Sequence, residues 1–379
     1  MQTFTLTVLA VYARNPAAAT ADISHRLGVP PHMIRRARQF LGSRGYLHKD
    51  KDLNWHLTDH GKAEMEKFDR EKAEDDARFI RKATDTICDA LGVKEDEISN
   101  FFLMDKGMTN DSYIFYCRGK KYIYRCAGQG SDMLVDRYRE YANYIALQGR
   151  GISDVVVYHN PMDGTKITEF IENSKGIDPQ NPAHMSRALD ALRHLHNSGI
   201  KPPHDFDFVK TIDYYEEICR NSEAEFLSGY PSRKARVMRL LEKVDRLGAE
   251  KKFCHIDFVP GNCLLDGRGK VVLIDWEYSG GQDPLVDVAM FCISAAFDKR
   301  QSDRLLKDYL QKRPDVQQRA RFYTYIATAS LMWSLWSEFK TANGEVFEGY
   351  TKRTYAMCRK YCTLAERMFD TMEQEYTSK

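Results

Sequence analysis

The spacing of apolar residues changes period along this chain, and each change marks a predicted element or boundary. In TADISHRLGVPPHMIRRARQFLGSRGYL, residues 20–47, it predicts a helix, a tight turn at Gly28 and a second helix rich in arginine. Thr20 or Asp22 is placed to cap the first helix. Pro30–Pro31 open the second, where a missing N–H costs no helical hydrogen bond. Gly45 stops that helix, and HKDKDLNWHLTDHGK alternates as a short β-hairpin does. Over about 60–90, Phe68, Phe79, Ile80, Ile87 and Leu91 recur at helical spacing among charges, predicting one long helix or two shorter ones. From about 97 the period becomes two: FFLMDKGMTNDSYIFYCRGKKYIYRCAG holds two or three strands with turns at Gly107 and Gly119. A helix over 131–149 and strands near 153–159 and 166–171 follow. Beyond them the pattern is helical, apart from hairpin-like strands around 262–275. The expected division is 1–70, a helical linker 71–96, a β-rich lobe 97–172 and a helical lobe 173–379.

Length and composition agree with several domains in one soluble chain. At about 150 residues per domain, 379 residues imply two or three. The chain is 43% hydrophobic and 29% charged, with a net charge of +2, so the whole surface makes no case for nucleic acid or membrane. No signal peptide opens the sequence, and no run approaches the ~18 apolar residues of a membrane span. Nine scattered cysteines, mostly in apolar segments, read as reduced thiols of a cytoplasmic protein. Cys358 and Cys362, four apart, have no neighbouring His or Cys pair to complete a metal site.

The segment FCHIDFVPGNCLLDGRGKVVLIDWE, residues 253–277, carries the candidate chemistry. Phosphoryl transfer needs a group that orients or deprotonates an acceptor hydroxyl, and oxygen ligands that hold magnesium against the phosphates. Asp257 suits the first task; Asn262, five residues later, and Asp275, after the apolar run VVLI, suit the second. A hairpin turning at DGRGK would bring Asn262 and Asp275 together.

HIDFVPGN followed by LIDWEYSGGQDPLVDVA resembles the aminoglycoside-phosphotransferase and choline-kinase superfamily, with its H-x-D-x-x-x-x-N and D-[WFH]-E-x-[AS] elements. Within it, WEY and the following DP…D resemble choline and ethanolamine kinases most closely. The resemblance covers about 97–370 and implies an α+β, protein-kinase-like two-lobed fold that uses ATP and Mg2+. It makes His255 and Asp287 braces of the catalytic loop. KGMTNDSYIF is similar to the phosphate-covering turn, with Gly107, Thr109, Asn110 and Ser112 offering close approach or donors. Arg125, in YIYRCAG, stands where protein kinases carry a lysine, and its guanidinium would bridge phosphate oxygens. Glu140 is its candidate partner, although Arg137 and Arg139 nearby leave the helix register open. ITEFIEN resembles the hinge, whose backbone from Glu169 to Ile171 would bind adenine.

The acceptor should be chosen by the helical lobe. Trp333 and Trp336 share a helix face, and Phe347, Tyr350 and Tyr355 follow. Aromatic faces near a carboxylate bind quaternary ammonium groups, and the resemblance implies choline as substrate, with Tyr278 as a further pocket wall. The product would then be phosphocholine for bacterial surface glycans. Two departures stand out. Tyr350 and Arg353 only approximate the family's Y-x-x-x-R, and VAMFCISAAF, with Ser294 or a neighbour, replaces the eukaryotic N-H-F-x-E. Ethanolamine, an amino sugar or another small alcohol are therefore alternative acceptors.

Residues 1–70 resemble the winged helix-turn-helix domains of small bacterial regulators, with Arg35, Arg36 and Arg38 on the presumed recognition helix. DNA or a protein is the implied partner. A DNA-binding regulator whose kinase-like domain senses a ligand is the rival reading, against which stands the complete Asp257, Asn262 and Asp275 set.

Overall fold

The computed structural model describes residues 3–27, 31–106, 110–128, 133–345 and 347–377. Two compact units divide it: Met1–Thr86 with Lys340–Phe347, and Ile87–Phe339 with Glu348–Lys379.

In the first unit, α1 (Thr3–Arg14), α2 (Thr20–Leu27) and α3 (Pro31–Ser43) precede a hairpin of β1 (Leu47–Lys49) and β2 (Trp55–Leu57). This order of three helices and a wing is a winged-helix-like extension. On α3, Ile34, Ala37 and Leu41 recur every three to four residues and enter a core with Leu9, Tyr12 and Ile23. Neither proposed cap acts as one: Thr20 is the first helical residue and Asp22 lies inside the first turn. The Thr20 hydroxyl instead accepts from Arg38 at 3.0 Å. The proposed turn at Gly28 and Pro30 lies outside the described residues. α4 runs unbroken from Asp59 to Leu91, 33 residues, so the linker is one helix that starts in the wing. Gly61, in its first turn, is needed for space, because a Cβ there would collide with the Tyr46 carbonyl.

The second unit begins with an antiparallel sheet in the order β3-β4-β5-β7-β6. Its strands are β3 (Ile98–Lys106), β4 (Asn110–Cys117), β5 (Lys120–Ala127), β6 (Val156–His159) and β7 (Lys166–Glu169). α5 (Arg137–Leu147) is shorter than the predicted 131–149, because Asp136 caps it by accepting from the N–H groups of Tyr138 and Arg139.

The helical lobe contains α6 (Pro182–His196), α7 (Phe208–Asn221), α8 (Tyr230–Asp245), α9 (Leu285–Ser294), α10 (Lys299–Leu310), α11 (Val316–Ala342) and α12 (Glu348–Thr377). Short strands β8 (Lys175–Gly176), β9 (Lys252–Cys254), β10 (Cys263–Leu265), β11 (Val271–Leu273) and β12 (Gly280–Gln282) carry its loops. β10 pairs with β11 and β8, while β9 pairs with β12. α9 is buried on every side, as its uniformly apolar LVDVAMFCIS demands, with Asp287 the exception. The second unit is thus an α+β kinase-like fold, a β-rich lobe followed by a helical one. Seven of the nine cysteines are buried, and all are free thiols. Among the described residues no helix is long and apolar enough to cross a membrane.

One buried acid in α11 has a testable consequence. Glu338 accepts the Leu227 N–H at 3.3 Å, but its second oxygen has no partner among the described residues, and burial pushes its carboxyl up to about 7. A folded-state value above the unfolded one means stability is lost as pH rises toward 7. Glu338→Gln should therefore stabilise the fold at pH 8.5 by about 2 kcal/mol or less, seen as a higher melting temperature, and change it little near pH 4.5. Melts at both pH values check this.

Candidate active site

Two loops supply the chemistry, and the β10–β11 hairpin joins them. Its register pairs Cys263 with Leu273, and the Ile274 N–H donates to the Asn262 carbonyl at 3.0 Å. Asn262 and Asp275 therefore meet at the open end of the hairpin. Asn262 Nδ2 donates to Asp257 Oδ2 at 2.8 Å and to the Asp257 carbonyl at 3.0 Å. This fixes the amide so that Oδ1, which accepts no hydrogen bond among the described residues, is left as a ligand oxygen. Asp257 is partly exposed at the cleft. Burial first, then the Asp275 charge, push its carboxyl up to about 7, against the lowering effect of Asn262.

The loop around Asp257 is held in a costly conformation. Ile256 has φ 66° and Asp275 φ 68°, left-handed values that cost a non-glycine residue about 1–3 kcal/mol. Asp287 offsets this by accepting the N–H of His255 at 2.8 Å and of Ile256 at 2.7 Å, with His196 Nε2 2.9 Å away. A fully buried carboxyl group is tolerated because these donors satisfy it. His255 Nε2 donates to the Ile274 carbonyl at 2.9 Å, and its ring lies 4.4 Å from that of Trp276. Burial lowers its pKa, favouring a neutral ring that ties the two loops together.

Arg125 is the electrostatic hub. It is 8% exposed and donates through Nη2 to Glu140 and through Nη1 to Asp275 at 2.9 Å, with Glu277 at 3.9 Å. Asp136 capping puts Glu140 on the inner face of α5, which settles the register. Arg137 also turns inward, 3.1 Å from Glu140, while Arg139 faces solvent beside Asp136. Burial alone would raise the Glu140 pKa, but Arg125 and then Lys166 hold it well below the usual carboxylate range. Glu277 takes the opposite course. Burial, then Asp275 and Glu140, push it up to about 8, and Asn110 Nδ2 donates to it at 3.0 Å. The Asn110 side chain, expected at phosphate, thus turns to a buried acid. Gly107 and Thr109 lie outside the described residues, and Ser112 is half-buried opposite Arg125 in the β4–β5 register.

At the hinge, the Glu169 N–H is already donated to Val155 at 2.9 Å. Ile171, just past β7, makes no hydrogen bond among the described residues, so its peptide group is available. On the helical side, Trp333 and Trp336 are both buried, with ring centroids 5.9 Å apart, and Tyr278 stands edge-on to Trp333 at 5.4 Å. Tyr278 and Tyr350 are half-buried. Burial raises the phenol pKa values of Tyr215, Tyr278 and Tyr350, reinforced by the Glu277 charge at the first two and by the Asp257 charge at Tyr350. Tyr215 and Tyr278 line one cavity together with Glu277.

Several of these residues escape sequence reasoning. Glu277 lies inside the quoted D-W-E motif but has no stated role there. Asn143 of α5 donates to the carbonyls of Trp276 at 3.0 Å and Ser279 at 2.9 Å, binding the helix to the Asp275 loop. Lys166 faces Arg125 across β5 and β7 and reaches Glu140 at 3.3 Å. Tyr215 carries no sequence signal; only the packing of α7 brings it to the cavity lined by Glu277 and Tyr278.

A cleft between a β-rich and a helical lobe, with an Asp, Asn and Asp set on its floor, is the site of a phosphotransferase. The chain belongs to the phosphotransferase enzyme family (APH), whose model matches residues 105–323. It is an ATP-dependent small-molecule kinase of the superfamily that includes aminoglycoside phosphotransferases and choline/ethanolamine kinases. It is 26% identical over 255 residues to protein LicA of Haemophilus influenzae, covering 64% of this chain and 74% of that one. The crystal structure of choline kinase LicA from Streptococcus pneumoniae superimposes with a TM-score of 0.65 at 26% identity, covering 76% of this chain and 99% of that one. A choline/ethanolamine kinase family protein from Mesorhizobium loti gives 0.60 at 25% identity, covering 71% and 91%.

Proposed function

We propose that this kinase transfers the γ-phosphoryl group of ATP to the hydroxyl of choline, giving phosphocholine and ADP in the cytoplasm. The observation that carries the acceptor is the aromatic wall of Tyr215 and Tyr278 on one cavity with the Glu277 carboxyl, with Trp333 backing Tyr278 at 5.4 Å. A quaternary ammonium cannot donate a hydrogen bond, so aromatic faces and a nearby carboxylate are what retain it. The description of the pneumococcal relative as a choline kinase supports the same reading.

Asp257 orients the acceptor hydroxyl and takes its proton as the oxygen bonds to the γ-phosphorus and the bond to the ADP oxygen breaks. Arg125, anchored by Glu140, neutralises nucleotide phosphates. The backbone from Glu169 to Ile171 receives adenine, through the available peptide of Ile171. Gly107 and Thr109 keep their proposed phosphate-covering role on the resemblance alone. Asn262 Oδ1 and the Asp275 carboxylate are hard oxygen donors side by side, a set that fits Mg2+. When bound, that ion supplies positive charge against the phosphate oxygens. His255 and Asp287 keep the two loops in register.

Purified protein assayed for ADP release should respond to choline in a magnesium-dependent manner, and much less to ethanolamine. If another small alcohol is turned over and choline is not, the acceptor assignment fails. Tyr350→Leu should raise KM for choline about tenfold, as loss of a ~1–2 kcal/mol cation–π contact requires, and leave KM for ATP unchanged.

A further inference from the structure

The residues assigned to the phosphotransferase site all belong to the second unit, and the first unit differs electrically from the whole chain. Residues 1–58 carry eight Lys and Arg against three Asp and Glu, although the whole chain has a net charge of only +2. Three of the eight lie on α3. α3 contains no acidic residue, and its buried stripe of Ile34, Ala37 and Leu41 leaves Arg35, Arg36 and Gln39 exposed on the opposite side. Arg35 and Arg36 make no hydrogen bond or ion pair among the described residues. The solvent face of α4 is different, interleaving Lys67 with Glu71 and Asp75 with Arg78 as paired charges. Basic side chains lacking such partners are suited to an anionic surface.

The hairpin adds two more exposed basic residues. Lys49 and Lys51 are exposed on it, while Asp50 is turned into the turn, accepting from the N–H groups of Asp52 and Asn54 and facing His56 at 2.7 Å. Arg38 takes a different role from its two neighbours. It donates to Thr20, and its guanidinium lies 5.3 Å from the centre of the Trp55 ring, so it links α2, α3 and the hairpin. The wing is thereby fixed relative to α3.

We propose that this unit binds double-stranded DNA, with α3 in the major groove and the hairpin on the flanking phosphates. Arginine and glutamine on one helix face are matched to guanine and adenine edges, and lysines on a wing to phosphates. Arg35, Arg36 and Gln39 face the bases; Lys49 and Lys51 face the backbone.

The test uses the full-length protein and a fluorescein-labelled 24-base-pair duplex of mixed sequence, read by anisotropy. Binding at 50 mM salt should weaken with added salt, with a log–log slope of about −2 to −4 for up to four neutralised phosphates. Arg35→Glu with Arg36→Glu should weaken binding at least tenfold, and Lys49→Glu with Lys51→Glu should flatten the slope by about 2. Both double variants should keep wild-type kinase turnover, which shows that they fold. A second measurement selects binders from a random duplex library and should recover guanine-containing sites with the wild type only. No duplex binding at 50 mM salt, or binding that both double variants retain, overturns the proposal. Displacement of the duplex by polyglutamate as readily as by unlabelled DNA also overturns it and favours an acidic protein partner.

Discussion

Asp257→Asn is expected to lower turnover by about 10³-fold while ATP affinity stays near the wild-type value. The substitution keeps the shape of the side chain and an oxygen that can still accept from Asn262 Nδ2. It removes the proton acceptor, and general-base catalysis contributes about 10²–10⁴-fold. It also removes a carboxyl group that burial and Asp275 push up to about 7. A carboxylate raised in the folded state costs stability above its unfolded pKa, so the variant should melt at a higher temperature than the wild type at pH 8. Activity and stability thus move in opposite directions, which a folding defect would not produce. Steady-state rates, nucleotide titration and a melt on the same sample check all three quantities. Turnover within tenfold of wild type, in this variant or in Asp257→Ala, would remove Asp257 from the mechanism.

Arg125→Met is expected to have the largest effect on stability, about 3–5 kcal/mol, together with a rise in KM for ATP. Glu140 is completely buried, and Arg125 and Lys166 are the leading causes that keep its carboxylate ionised there. Breaking a buried ion pair leaves an uncompensated charge, which accounts for the size of the loss. Arg125→Lys should recover part of the stability through its charge, and less of the nucleotide affinity, because one ammonium cannot reach Glu140 and Asp275 as the guanidinium fork does. Urea unfolding and nucleotide titration of both variants measure the two effects separately. Equal losses in both variants would mean that charge alone matters at this position. An unchanged unfolding midpoint in Arg125→Met would show that Lys166 and Arg137 suffice to hold Glu140.

The predicted elements match the structure where period and punctuation coincide. The hairpin around DGRGK is legible because two apolar runs flank a turn rich in glycine and aspartate, and it forms with Cys263 opposite Leu273. The arginine-rich second helix and the alternating wing are legible for the same reason. α5 is shorter than expected, because a capping aspartate at 136 outweighs the helical pattern before it. α4 is a single helix because nothing between Asp59 and Leu91 breaks it.

The sequence by itself determined the order of the reacting groups. Asp257, Asn262 and Asp275 are joined by a short hairpin, so local chain geometry alone brings them together. Tertiary structure decided the rest. That Arg125 and Arg137 meet Glu140 while Arg139 does not depends on the rotation of α5, which the Asp136 cap sets. Glu277 becomes a raised-pKa acid beside an ionised Glu140 only because both share one desolvated cluster under Arg125. Tyr215 shares a cavity with Tyr278 from a helix 63 residues away in sequence, through packing that leaves no periodic trace. Arg38 reads like Arg35 and Arg36 in the sequence, yet only the folded unit turns it inward onto Thr20 and Trp55. Short-range pattern encodes backbone conformation, whereas electrostatics and side-chain direction depend on neighbours that only the folded chain supplies.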